Sequence, residues 1–212
     1  MTEKEKSLAG MLYDPSDPEL VRLREEAHEG CMRYNAVPET RAEERKRLLD
    51  RFLPHRGENV FLQGPIQFDY GVFTTVGKNF YANFNFTVLD SAPVTIGDNV
   101  FFGPNCSVVT PIHPMLPEER RSRRHADGSP FDLEYAAPIT IGNDCWFATG
   151  VTVCGGVTVG DGCVIGAGSV VTHSIPPHTF AAGVPCRPIR PITEKDSLTL
   201  RPDLMGDHTF DE

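Results

Sequence analysis

His113 lies between Ile112 and Pro114, at the point where the most regular part of the chain is interrupted. An imidazole can take a proton from an alcohol near neutral pH, provided that a partner fixes its tautomer. Glu134 stands just before the regular pattern resumes at Pro138, and it could return to the same place and act as that partner. The competing reading of His113 is an ordinary surface-loop histidine, and its position at the interruption is what weighs against that. Asp69 and Asn83 sit among aromatics, in Phe68-Asp69-Tyr70 and Tyr81-Ala82-Asn83-Phe84-Asn85-Phe86. Short carboxylate and amide side chains interleaved with rings suit a polyol, whose hydroxyls need paired donors and acceptors beside an apolar face. Asn83 and Asn85 could equally do no more than satisfy turn backbone. Trp146, the only tryptophan, follows a cysteine at an inward position and should point outward, where tryptophan more often marks an interface or ligand surface.

The elements that must position these groups are written in sixes. From Ile141 the first residue of each hexad is Ile141, Phe147, Val153, Val159, Ile165 and Val171, and the fifth is Cys145, Val151, Val157, Cys163, Ser169 and Ile175. Residues able to take positive φ fall at fixed offsets between them, as Asp144, Gly150, Gly156, Gly162 and Gly168. An ordinary sheet would give period two and irregular turns. A six-residue internal repeat is instead the mark of a parallel β-helix, in which each short strand buries its first residue before the chain turns a corner. The repeat begins irregularly after Val60. Ile66 and Val72 share one phase and Val76, Ala82 and Val88 another, which places an insertion near Phe73–Thr75. A second slip falls across Asp90–Pro93, after which Ile96, Phe102 and Val108 resume. Between Thr110 and Pro138 the hexads stop, and prolines, a cluster of arginines at Arg120–Arg124 and Asp127-Gly128 mark a long excursion from the coil. Long loops on rigid scaffolds are where chemistry tends to sit.

Ahead of the repeat the spacing is helical. Asp17-Pro18 supplies an N-cap and a first-turn proline for a helix over Pro18–Tyr34. Thr40 and Glu43 read as a capping box for a second helix that buries Leu48, Leu49, Phe52 and Leu53. The expected organisation is a helical cap over 1–57, the β-helix over 58–192 with its excursion at 110–138, and a polar tail over 193–212, either a short helix or disordered. Covering the end coil of a solenoid is the natural task of such a cap.

Composition narrows the function. The net charge of −9 argues against nucleic-acid binding. No apolar run approaches a membrane span, and Met1–Gly10 is too charged for a signal peptide, so a cytoplasmic protein without a membrane partner is expected. Of the six cysteines, Cys106, Cys145 and Cys163 take the fifth hexad position and read as core thiols rather than disulfides.

Several motifs together resemble the sugar O-acetyltransferases of the hexapeptide-repeat class, typified by the maltose, galactoside and nodulation acetyltransferases. They include Met11-Leu12-Tyr13-Asp14, Phe68-Asp69-Tyr70-Gly71, Asn79-Phe80-Tyr81-Ala82-Asn83-Phe84-Asn85, His113-Pro114, Pro138–Trp146 and Ala182-Gly183-Val184-Pro185-Cys186-Arg187. The resemblance covers nearly the whole chain. It implies a mainly β fold, a left-handed parallel β-helix with a small N-terminal helical cap, assembled as a homotrimer with active sites between subunits. It further implies acetyl-CoA as the donor, no metal, and a small-molecule sugar as the acceptor. On the matching positions His113 would be the general base and Glu134 its support, while Asp14, Asp69 and Asn83 would serve the acceptor. Asn83, Trp146, Thr149, Ala167, Thr172, His173, Arg187 and Arg190 would line the groove for coenzyme A.

Two departures stand out. His173 replaces the usual basic residue after Thr172, and the excursion after His113 is longer and richer in arginine, so sugar identity is not carried over. Three other readings share the repeat. One is an acetyltransferase acting on an antibiotic hydroxyl, against which the cap around Asp14 argues, and another is a trimeric scaffold without catalysis. The third is a γ-type carbonic anhydrase, which needs three histidines on zinc, yet His113, His125, His173 and His178 show no spacing that would gather three.

Overall fold

In the computed structural model, which describes residues 1–210, three short helices precede a solenoid. Helix α1 (Glu3–Leu8) is closed by a capping box of Thr2 and Glu5. Helix α2 (Pro18–Ala36) starts on the Asp17 side chain, which accepts from Glu19 N–H. Helix α3 (Ala42–Phe52) does not form the box expected of Thr40 and Glu43. Its N-cap is Arg41, without a side-chain cap bond. A turn in which Arg41 N–H donates to Pro38 O at 2.9 Å takes up Thr40, leaving its hydroxyl one residue too early to reach the helix.

The solenoid winds three parallel sheets, and every inward column is apolar and buried. One column runs Leu62, Ala82, Phe102, Phe147, Ile165 and Ala181. The second runs Phe68, Val88, Val108, Val153 and Val171. The third runs Val76, Ile96, Ile141, Val159 and then Ile175. Aromatic rings fill the wide early coils, with Phe102 stacked on Phe147 at 4.3 Å and tilted against Phe86 at 4.8 Å. At one corner the column of Asn59, Asn79, Asn99 and Asp144 adopts left-handed φ of 55° to 56°. Their side chains hydrogen-bond upward in series, at 3.0, 2.8 and 2.8 Å. Asparagine tolerates that conformation, so one residue type both turns the chain and ties successive coils.

Phe68 and Val76 stand eight positions apart, as do Val88 and Ile96, whereas six separate the other consecutive inward residues up to Val108. The first slip thus lies earlier than the phases of Ile66 and Val72 placed it, across Asp69–Phe73. Ile66 and Phe68 both face inward on one strand, so the period alone could not say which carries the phase. The second slip is at Asp90–Pro93. Both extra loops lie at the corner from which the excursion leaves one coil later, between Val109 and Ile139.

Helices α2 and α3 cover the first coil. Tyr34, Leu49, Phe52 and Leu53 extend the solenoid core, and polar groups close the sheet ends. Asn35 donates to Ile66 O at 2.9 Å and accepts from Ile66 N–H at 2.8 Å. Tyr34 hydroxyl and Arg45 both donate to Leu62 O at 2.6 Å. An unpaired edge would invite another strand, and these groups satisfy it instead. At the far end Arg187–Pro191 runs antiparallel to Thr179–Ala182. Beyond it the tail makes two 3-10 turns, Glu194–Asp196 and Leu198–Leu200, and a short helix, Pro202–Met205. Among the described residues no helix is long and apolar enough to cross a membrane.

Candidate active site

The root of the excursion is zipped by antiparallel pairing of Ile112 with Tyr135 and of Pro111 with Ala136. His113 and Glu134, the next residues out on each side, therefore face one another, with Nε2 at 3.7 Å from Oε2. That separation is an ion-pair distance, longer than a hydrogen bond. His113 is half-exposed while Glu134 is mostly buried. Burial pushes the Glu134 carboxyl above its ordinary range; the Tyr13 hydroxyl and His113 oppose this, and Asp132 and Asp69 add to it.

Tyr13 fixes Glu134 from the other side. Its N–H donates to Glu134 O at 2.9 Å, its O accepts from Glu134 N–H at 3.2 Å, and its hydroxyl donates to Glu134 Oε1. Burial, followed by the neighbouring Glu134 charge, raises the Tyr13 phenol, so it remains a proton donor in that bond. Tyr13 packs in a small cluster with Leu20 and Tyr70. Asp14 follows directly. Its Oδ1 accepts from Ser16 N–H at 2.8 Å and from Ser16 hydroxyl at 2.6 Å, and its Oδ2 meets His125 Nε2 at 3.0 Å.

Asp69 stands at the same corner two coils below the root, with Oδ1 at 3.5 Å from His28 Nε2. Burial raises its carboxyl, opposed by His28 and by Arg24. Arg24 also donates to Tyr70 hydroxyl at 3.2 Å. Behind them Asp90, fully buried, accepts from Tyr70 N–H and Thr74 hydroxyl at 2.8 Å each and is pushed up to about 6 by burial. Asp90 fastens the two extra loops of this corner to each other.

The structure thus gathers His113, Glu134, Asp14 and Asp69 at one corner. Asn83, Thr149 and Ala167 belong to a different corner, between the sheets that begin at Phe61 and Ile66, and Trp146 faces outward beside them, 52 % exposed. The breadth of the five-stranded sheet separates the two groups within one chain. Thr172, His173 and Arg187 cluster on the last coil. Thr172 hydroxyl lies 2.9 Å and Arg187 Nη1 3.1 Å from His173 Nδ1. Guanidinium only donates, so Nδ1 accepts in this arrangement. Arg190 is clamped on both sides of its fork by Asp196, at 2.8 and 2.6 Å. Sequence reasoning passed over Tyr13, Arg24, His28 and His125 as site residues. Arg24 and His28 carry a readable signal, being one helical turn apart on α2, whereas nothing in the sequence pairs Tyr13 or His125 with a residue over a hundred positions away.

Three family descriptions match the chain: the maltose acetyltransferase hexapeptide capping motif over residues 6–57, the hexapeptide repeat of succinyl-transferase over 93–113, and the bacterial transferase hexapeptide of six repeats over 138–173. The galactoside O-acetyltransferase of Escherichia coli K12 is 39 % identical over 196 residues, covering 92 % of both chains. The crystal structure of a maltose O-acetyltransferase from Clostridium difficile 630 superposes with a TM-score of 0.84 at 40 % identity, over 92 % of this chain and 99 % of that one. A galactoside acetyltransferase in complex with coenzyme A gives the same TM-score and identity, over 92 % and 94 %. The helical cap, the hexapeptide solenoid and this similarity along nearly the whole length make the chain a member of the maltose and galactoside O-acetyltransferase family.

Proposed function

We propose that the protein transfers the acetyl group of acetyl-CoA to a hydroxyl of a sugar or sugar-like acceptor, by general-base catalysis at His113 in a site completed by a neighbouring copy of the chain. The observation that carries this reading is the His113–Glu134 pair at the excursion root, 3.7 Å apart and braced by Tyr13. The family supports it: relatives are named for acetyl transfer to galactosides and maltose, and one related structure holds coenzyme A.

In this reading the His113 ring nitrogen turned away from Glu134 takes the acceptor hydroxyl proton as its oxygen attacks the thioester carbonyl, and returns it to the departing thiolate. The Glu134 carboxylate keeps the ring oriented and stabilises the imidazolium formed in between. Asp14 and Asp69 bind the other acceptor hydroxyls. Asn83 donates to the oxygen on which charge develops. Coenzyme A lies along Trp146, Thr149 and Ala167, with Thr172, His173, Arg187 and Arg190 toward its phosphates.

Since His113, Glu134, Asp14 and Asp69 stand at one corner and Asn83, Trp146, Thr149 and Ala167 at or beside another, a second copy is needed to bring the two groups face to face, and a closed ring of three identical contacts does so. The outer face of the seven-stranded sheet supports such a contact. Phe61, Tyr81, Phe101 and Trp146 form an outward aromatic column, with Phe61 and Tyr81 stacked at 6.1 Å and three of the four more than 40 % exposed. A stripe of that kind marks an interaction surface. Acetyl-CoA is an intracellular metabolite and the six cysteines are free thiols, which suits the cytoplasm.

Thiol release from acetyl-CoA against a panel of glycosides, disaccharides, thioglycosides and amino sugars tests the proposal. At least one acceptor should be turned over, and His113→Ala should lower kcat by about 100-fold or more, the usual scale of general-base catalysis. The trimer mass in light scattering and coenzyme A binding in calorimetry should persist. Near-normal turnover in that variant would sink the reading.

A further inference from the structure

The excursion carries a second contact with the helical cap, far from its root, that the transfer mechanism does not use. Arg123 pairs with Phe131 and Arg124 with Pro130 in an antiparallel hairpin. Its tip is tightened by His125 N–H to Ser129 O at 2.9 Å, and by Ser129 N–H and hydroxyl to Asp127 Oδ1 at 2.9 and 2.6 Å. The His125 ring stacks on Phe131 at 4.1 Å, only 19° from parallel. The imidazole is thus held by its own hairpin, and its edge meets the cap, with Nε2 3.0 Å from Asp14 Oδ2 and 3.2 Å from Ser16 Oγ. Among the described residues, the hydrogen bonds joining this hairpin to the helical cap all come from that nitrogen.

The partners decide its role. A carboxylate only accepts, and the Ser16 hydroxyl hydrogen already goes to Asp14 Oδ1, so His125 Nε2 must carry the hydrogen. Asp14 Oδ1 is occupied by its own turn, and the direction of Oδ2 is set by His125. Asp14 is in turn the neighbour of Tyr13, which holds Glu134, which faces His113. The chain therefore closes a ring from the root of the excursion, through Tyr13 and Asp14, to the hairpin and back.

We propose that His125 is a positioning residue for acceptor binding: its grip on Asp14 holds the Arg123–Phe131 hairpin across the acceptor side of the site, and makes acceptor affinity and choice depend on the excursion. This rests on the acetyl-transfer reading above. An acceptor hydroxyl at this subsite meets a carboxylate oxygen already sharing an imidazole N–H, and a wall fixed at both ends.

The test compares His125→Ala and His125→Gln with the wild-type trimer. A glutamine amide nitrogen reaches about as far as Nε2 and also donates. In His125→Ala the KM for the best acceptor should rise at least tenfold and the ranking of the acceptor panel should flatten, while the KM for acetyl-CoA stays within twofold. Backbone amides of residues 123–131 should exchange hydrogen at least tenfold faster, and His125→Gln should recover most of both effects. The proposal is overturned by an unchanged acceptor KM, by equal rises in both KM values, or by a glutamine variant no better than alanine. A wild-type protein inert toward every acceptor would overturn the acetyl-transfer reading itself, an outcome distinguishable from failure of the grip because the hydrogen-exchange comparison reads the grip directly.

Discussion

Tyr13 and Glu134, 121 residues apart, hold one another through two backbone hydrogen bonds and one between their side chains. The helical cap is therefore part of the candidate site as well as a cover for the first coil, since the carboxylate that faces His113 is itself held by a residue just ahead of α2. Truncating the cap would remove a wall of the site along with the lid of the core.

Tyr13→Phe isolates that relationship. The ring stays among Leu20 and Tyr70 and both backbone bonds remain, but Glu134 Oε1 loses its donor while still mostly buried. Leaving such an oxygen unsatisfied costs about 1–3 kcal/mol. Thermal unfolding should fall by a few degrees, on the scale of about 2–4 °C per kcal/mol for a chain of this size. Turnover should fall roughly tenfold as Glu134 loses its orientation, with the KM for acetyl-CoA unchanged; wild-type turnover in this variant would show that Glu134 needs no brace.

Glu134→Gln separates stability from catalysis through pH. Burial raises the Glu134 carboxyl in the folded state, so the unfolded chain gives up this proton more readily. The contribution of Glu134 to stability is then fully present below its unfolded value and is lost as pH rises through the raised folded value. Glutamine keeps an oxygen for Tyr13 and never ionises. The Tm of the variant relative to wild type should therefore increase from pH 4 toward pH 7, while its kcat at pH 7 drops. A difference in Tm that is flat across this range would mean that the buried charge is fully compensated.

Most of the solenoid was legible because its period is enforced by geometry: each coil must present an apolar residue at every sixth position, as Phe147, Val153 and Val159 do. His113 and Glu134 could be suspected because they bracket the break in that period. The corner that carries them was less legible, since the two-residue slips after Phe68 and Val88 disturb the phase without leaving a distinctive residue type. Thr40 shows the limit of local motifs, for a preceding turn displaced a capping box that the spacing allowed. The contacts from Tyr13 to Glu134 and from Asp14 to His125 had no signal at all, because sequence periodicity says nothing of which loops meet.

The asparagine column offers a test of the fold alone. Asn79 has φ of 55°, accepts from Asn59 at 3.0 Å and donates to Asn99 at 2.8 Å. Asn79→Gly keeps the left-handed backbone at no steric penalty and loses only the ladder bonds, whereas Asn79→Ala loses both. The left-handed penalty for an alanine is about 1–2 kcal/mol. In denaturant unfolding, Asn79→Ala should be less stable than Asn79→Gly by about that amount. Equal stability would show that the corner relaxes to another conformation.

The two arginines near the C-terminal strand should behave differently toward acetyl-CoA, although the proposed function puts both toward its phosphates. Arg190 has both terminal nitrogens on Asp196, which is held down to about 2 by that pair. Arg187 is exposed, with Nη1 directed to Cys186 O and to His173, and among the described residues its other donors have no partner. A guanidinium whose fork is occupied by a carboxylate has little to offer a second anion, because bidentate recognition uses the same parallel N–H pair. Arg187→Ala should therefore raise the KM for acetyl-CoA at least fivefold and Arg190→Ala less than twofold. Asp196→Asn should reverse that order in part, lowering the KM for acetyl-CoA by freeing Arg190. If instead Arg190→Ala proves the more damaging change in otherwise wild-type protein, Asp196 serves to aim Arg190 at the phosphates rather than to withhold it.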